Sequence, residues 1–227
     1  SKGYGGPAWL LNLVDNVTVP TEVMKKKLSF VGAGKVKVVR SFIDTAKFKP
    51  LNKSYLKKRY GFDGRRVVLY YGSLLENKGV KYLLKAFSDF DVRDAVLLLA
   101  ARHELPPEYK EMVGKLDNVE VVSGVNIVDY VNMADVVVLP YVNMVGTEGN
   151  PSCLLEAVAC NTPVVTTRQP ELLEIFDERE LFYADAADVK SLRHEITSAL
   201  LNTKEAAARA ERARKKSYLF DIKRAAN

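Results

Sequence analysis

Between about residue 65 and residue 183, short continuous apolar runs alternate with stretches whose apolar positions recur at helical spacing. The runs at residues 67–71, 95–100, 119–122, 134–139 and 163–167 are rich in Val, Leu and Ala and do not alternate with polar residues. Such runs predict strands covered on both faces, and therefore a parallel sheet between two layers of helices. The intervening stretches fit that picture. From about Lys78 to Phe90, for example, Val80, Leu83, Leu84 and Phe87 share one helical face. The expected fold is α/β, a doubly wound, Rossmann-like parallel sheet.

The flanks read differently. Residues 16–20 predict a short strand, 21–30 a helix and 35–40 a second strand alternating Lys and Val. Residues 41–50 lose periodicity and end in Lys49-Pro50, which disfavours helix and marks a boundary. From Asp188 onward the chain is rich in Ala, Lys and Arg, lacks Pro and Gly, and predicts helix.

Composition narrows the function. Lys and Arg total 34 against 28 Asp and Glu, giving a formal charge of +6, and 48% of the residues are hydrophobic. A sizeable core is expected and a disordered chain is excluded. No apolar run approaches the 18 or so residues a membrane helix needs. With His103 and His194 the only histidines, zinc cages and His-based triads are poorly supplied. Cys153 and Cys160 are expected two turns apart on one helix, too distant for a disulfide, and read as reduced packing residues of a cytoplasmic protein. Gln169 is the only glutamine, while Lys, Val, Glu and Tyr are plentiful, a composition of thermophilic character. Starting at Ser1 without a leader, the chain is expected to be a processed, tagged or truncated product.

In an open parallel sheet, ligands bind beyond the carboxyl ends of the strands. Two of the loops there carry chemistry. The first, residues 71–79, runs from a strand through Gly72 and Ser73 to Lys78-Gly79 at a helix start, bringing an ammonium to the sheet edge. A phosphate would suit it; an ordinary strand-to-helix turn with a solvated Lys is the plain alternative. In the second, residues 146–160, Asn150-Pro151 predicts an N-cap and first helical residue. The N–H groups of Ser152, Cys153 and Leu154 would then form an anion site. Glu156 stands within an otherwise apolar helix, where a carboxylate is costly unless hydrogen-bonded. A sugar diol would satisfy it, as would a narrow solvated stripe or nearby backbone N–H groups.

The segment from Glu148 to Glu156, with its small-residue helix and the Thr162-Pro163-Val164-Val165 strand, resembles the E-x7-E region of retaining, family 4-like glycosyltransferases (glycosyl transferases group 1) of the GT-B fold. Residues 72–79 resemble the phosphate loop of that family, and residues 35–50 its interdomain connector. The resemblance implies the C-terminal, donor-binding half of a GT-B enzyme. Residues 1–40 would be the end of an N-terminal acceptor domain, 41–50 the connector, 51–205 the donor domain and 206–227 a helical tail.

Carried over by position, Lys78 would neutralise the donor diphosphate and Glu148 would face the transferred sugar, the two catalytic groups. Glu156 would bind the ribose hydroxyls. Gly72, Ser73 and the amides of Gly149, Asn150, Ser152, Cys153 and Leu154 would complete the sugar and phosphate site, with Gly124, Val125 and Asn126 beside the base. Relatives usually carry Arg at position 73, so Ser73 leaves Lys78 as the remaining cation of the usual pair. The resemblance implies a nucleotide-diphosphate sugar as co-substrate, with no cofactor and no metal. It also implies a glycan, lipid or small-molecule acceptor, an N-terminal domain partner, and room for peripheral membrane contact; no nucleic acid partner is expected. Competing readings are a nucleotide-sugar-binding module without catalysis and a GT-B phosphorylase or epimerase.

Two weaker motifs point elsewhere. Asp89-Phe90-Asp91 has the D-x-D form of a manganese site but closes a helix, where such a site is not expected. Gly32-Ala33-Gly34 opens like a dinucleotide fingerprint but follows a helix instead of a strand, so a helix C-cap and turn is expected there.

Overall fold

The structure, a computed structural model, describes residues 8–32, 34–101, 104–145, 147, 149 and 151–224. Six parallel strands build the main sheet: β3 (Arg66–Gly72), β4 (Ala95–Ala101), β5 (Val119–Val122), β6 (Val136–Leu139), β7 (Val164–Thr167) and β8 (Phe182–Ala184). Their order is β5-β4-β3-β6-β7-β8. All seven residues of β4 and all four of β6 and of β7 are buried, which explains why these strands read as unbroken apolar runs.

Side chains alternate between two cores. Val67, Leu69 and Tyr71 point into one, with residues of α5 (Ile127–Met133), α6 (Ser152–Ala159) and α7 (Pro170–Ile175). Val68 and Tyr70 point into the other, with residues of α3 (Val80–Phe87), α4 (Pro107–Val113) and α8 (Val189–Leu201). The expected doubly wound sheet is therefore present. Its strand order reverses between β3 and β6, which pair through Val68–Val136 and Leu69–Val137. That reversal opens a crevice at the carboxyl ends of these two strands.

Ahead of the main sheet, β1 (Val17–Val19) and β2 (Val36–Val38) form a separate parallel pair with α1 (Glu22–Lys27) between them. Val19, Leu28, Val31 and Val36 make a small core of their own. α1 ends earlier than expected, with Leu28 as its C-cap. Gly32 and Gly34 thus lie past the cap, where the Lys35 N–H donates to the Gly32 carbonyl at 3.2 Å.

Two elements of the main unit lacked a sequence signal, α2 (Lys53–Arg59) and β8. The final α-helix, α9 (Thr203–Ser217), runs through position 205 and buries Ala206, Ala210 and Ala213, with Ala206 and Ala213 packed into the two cores, so this Ala-rich stretch is packing surface. Ile43 bridges to Asp221, tying the connector to the end of the chain. Among the described residues, no helix is long and apolar enough to cross a membrane.

Candidate active site

Gly79 determines how the first loop meets the second. It has φ +72°, and a Cβ there would overlap the carbonyl oxygen of Pro140. With glycine in place, the 3-10 turn Glu76–Lys78 closes on the segment after β6. The Val142 N–H donates to the Asn77 carbonyl at 2.9 Å, and Asn77 Nδ2 donates to the Val145 carbonyl at 2.6 Å. This seam brings the Lys78 ammonium to 4.9 Å from the centroid of the buried Tyr141 ring. The ring face attracts the cation without cancelling its charge.

Tyr141 is anchored in turn. Its carbonyl accepts from Thr167 Oγ1 at 2.6 Å, and its hydroxyl lies 3.3 Å from Cys153 Sγ on α6. Tyr71, at the end of β3, donates its hydroxyl to the Cys153 carbonyl at 2.6 Å. Burial raises the Tyr71 phenol well above its ordinary value, helped by Cys153 and by the carboxylate of Glu156. These tyrosines hold the first turn of α6 against the ends of β3 and β6.

α6 starts at Ser152, with extended Pro151 as its N-cap, one residue later than the Asn150-Pro151 pair predicts. The reason lies in the Pro151 carbonyl, which accepts from the N–H groups of Leu154 at 3.0 Å and Leu155 at 3.4 Å. Leu154 is also fully buried, so neither its amide nor its side chain serves the anion site as expected. The first-turn donors of Ser152 and Cys153 remain, at the positive end of the helix dipole.

A cavity of about 370 Å³ lies over this junction, lined by Gly72, Ser73, Lys78, Tyr141, Ser152 and Cys153 among others. A second, of about 430 Å³, adjoins it along β4 and β5 and is lined by Ala100, Val122, Ser123, Gly124 and Val125. Tyr71, Gly72 and Glu156 border both. Glu156 is half-buried and stands where the two cavities meet, not on a solvated stripe. Each volume suits part of a small-molecule ligand.

Of the expected site residues, Ser73, Lys78, Ser152 and Cys153 line the first cavity, Gly124 and Val125 the second, and Gly72 and Glu156 both. Two further residues line neither. Asn126 caps α5, its side chain accepting from the Val128 N–H at 3.2 Å, because an extended Asn before a helix satisfies that donor first. Gly149 is buried outside both cavities and directs its N–H to Thr147 Oγ1 at 3.4 Å. Glu148 and Asn150 lie outside the described residues, as does His103. Tyr141 is not among the residues expected from the sequence; the signal for it is its place two residues past β6, at the carboxyl edge of the sheet.

Burial raises both thiols, Cys160 to about 12 and Cys153 above its ordinary value, although a bond from Tyr141 opposes the shift at Cys153. Asp89 of the D-x-D pairs with Arg193 at 3.2 Å, and Phe90 stacks on Phe87. Among the described residues, no group of three or more His, Cys, Asp or Glu side chains converges as a metal site.

The profile of the family described as glycosyl transferases group 1 matches residues 52–216. Solved structures share the fold. Anabaena HepE in complex with UDP-glucose superposes with a TM-score of 0.82 at 18% identity, over 92% of this chain and 60% of that one. Sucrose-phosphate synthase from Thermosynechococcus elongatus gives 0.83 at 21% identity, over 96% and 57%. The C-terminal domain of a group 1 family protein (LpcC) from Francisella tularensis gives 0.69 at 17% identity, over 79% and 99%. The chain therefore spans about 60% of the length of the first two. No curated protein matches it in sequence.

Proposed function

The chain belongs to the glycosyl transferases group 1 family, and from that premise we propose that it is the donor-binding half of a GT-B enzyme of the retaining, family 4-like kind. The donor is a nucleoside-diphosphate sugar, the ligand class of HepE in its UDP-glucose complex. One observation carries this reading: Glu156 borders both of two adjoining cavities, one holding Lys78 and the start of α6, the other lined by Ser123, Gly124 and Val125. A nucleoside-diphosphate sugar has the matching linear order of base, ribose, diphosphate and sugar. The base occupies the Gly124 cavity, the ribose diol bonds Glu156, and the diphosphate lies between Lys78 and the amides of Ser152 and Cys153.

The chemistry follows from charge. Cleaving the bond between the anomeric carbon and the phosphate oxygen develops negative charge on the leaving diphosphate and positive charge on the anomeric carbon. Lys78 and the α6 dipole stabilise the leaving group more in the transition state than in the ground state. In the retaining course, the acceptor hydroxyl forms its bond on the face being vacated and passes its proton to the departing phosphate oxygen. The resemblance assigns to Glu148 the part of stabilising the positive carbon without forming a bond to it. No step calls for a metal.

Residues 1–40 are read as the end of an acceptor domain and 41–50 as the connector. The separate β1–β2 pair with its own core supports that division. Free thiols at Cys153 and Cys160 support a reducing, cytoplasmic setting.

Calorimetric titration with UDP, GDP and ADP and their sugars tests the reading. One nucleoside diphosphate should bind, and Glu156→Ala should weaken it; failure of every one of them to bind contradicts the proposal. A second reading, a binding module without transfer, is favoured by exposed Ser73 at the position where the resemblance leads one to expect a cation. Turnover by a chain with an acceptor domain, lost in Glu148→Ala, separates the two.

A further inference from the structure

The segment that leads into α6 is packed against a distant part of the chain. Gly149 has φ +67°, and a Cβ on it would overlap Met24 Sδ and lie 3.2 Å from Pro20 Cγ. Met24 belongs to α1, a helix of only six residues, too short to hold its shape alone. α7 holds it at both ends. The Glu174 carboxylate accepts from the N–H groups of Glu22 at 2.9 Å and Val23 at 2.8 Å, a cap on the first turn of α1. At the other end Lys27 pairs with Glu171, which is itself buried. Thr21, fully buried, adds its own hydroxyl as acceptor for the Met24 N–H at 3.1 Å. These contacts hold the short helix in place and, with it, Met24 against Gly149.

We propose that Met24 is a positioning residue of the phosphate site: α1, clamped between Glu171 and Glu174, presses it on Gly149 and so fixes the backbone that delivers the Ser152 and Cys153 amides. The inference rests on the donor-site reading only for its functional consequence. The contact itself acts on the loop whether or not a nucleotide binds. Because preorganised donors spare a ligand the cost of ordering them, loosening the loop should weaken diphosphate binding roughly five- to tenfold.

The test combines amide hydrogen exchange over residues 147–154 with titration by UDP, GDP and ADP, on the full chain. Met24→Ala should speed exchange there at least severalfold and weaken the bound diphosphate, while the corresponding nucleoside binds as before. Met24→Leu, which refills the space, should restore both. Glu174→Ala uncaps the first turn of α1 without altering Met24 or Gly149 and should act in the same direction, which keeps the test sound if Met24→Ala folds poorly. Unchanged exchange in both Ala variants overturns the proposal, as does equal weakening of nucleoside and diphosphate. Faster exchange in a protein whose parent binds none of the three nucleotides would uphold the positioning role and refute the donor-site reading instead.

Discussion

The Lys78 ammonium lies over the ring of Tyr141, 4.9 Å from its centroid, and the Tyr141 hydroxyl reaches Cys153 Sγ at 3.3 Å. One aromatic side chain thus joins the cation of the first loop to the helix start of the second. Lys78→Ala is expected to weaken a nucleoside diphosphate by roughly ten- to a hundredfold, the worth of a charge-assisted hydrogen bond, and to leave the bare nucleoside unaffected. Tyr141→Leu should lose part of that affinity, and Tyr141→Phe, which keeps the ring, should lose less. Calorimetry with diphosphate and nucleoside in parallel measures both; equal losses for the two ligands would show that Lys78 supports the fold and not the phosphates.

Glu156 is assigned to the ribose by its place between the two cavities. The parent chain should therefore prefer a ribonucleoside diphosphate over its 2′,3′-dideoxy analogue by at least about tenfold, on the scale of a hydrogen bond to a charged group. In Glu156→Ala the preference should vanish, because the variant has lost the acceptor that detects the hydroxyls. A variant that binds weakly yet still discriminates would move the ribose elsewhere.

Gly79 and Gly64 make an internal comparison. Both have positive φ, +72° and +74°, but a Cβ at Gly79 meets the Pro140 carbonyl while one at Gly64 meets nothing within 4 Å. Gly64→Ala should cost about 1–2 kcal/mol, the left-handed penalty alone. Gly79→Ala should cost clearly more, since overpacking adds about 1–3 kcal/mol. Urea unfolding of the two variants checks the order, and equal destabilisation would mean that the seam between the loops is slack.

These glycines also show what the sequence makes legible. The Lys78-Gly79 turn and the Glu148–Glu156 spacing are local patterns, and they locate the loop after β3 and α6 without a structure. The buried strands β4, β6 and β7 are equally local, because covering both faces leaves an unbroken apolar run. α2 escapes because Lys53–Arg59 buries only Leu56 and presents no apolar stripe. β8 escapes because three residues are too few to show a period. Tyr141 and Met24 depend on contacts between segments far apart in the chain. Nothing in the residues around Met24 announces that Gly149 will pack on it.

Alkaline pH should destabilise the fold. Tyr70, Tyr71 and Tyr183 are raised well above the ordinary phenol range, chiefly by burial, and Cys160 is raised to about 12. A group whose value is raised in the folded state stabilises the protein below its unfolded value, and that contribution is lost as pH climbs towards the folded value. The loss should begin near pH 9, where unfolded thiols and then phenols start to release protons. Melting temperatures should hold from pH 7 to 8.5 and fall progressively from 9 to 11. A flat profile to pH 11 would contradict this burial.

The most direct test of the donor-site account is a crystal structure of the chain with its bound nucleoside diphosphate. In that crystal the ribose hydroxyls should lie on the Glu156 carboxylate, phosphate oxygens should contact Lys78 Nζ and the Ser152 and Cys153 amides, and the base should lie beside Gly124. A nucleotide bound with its base against Lys78, or outside the crevice between β3 and β6, would contradict it.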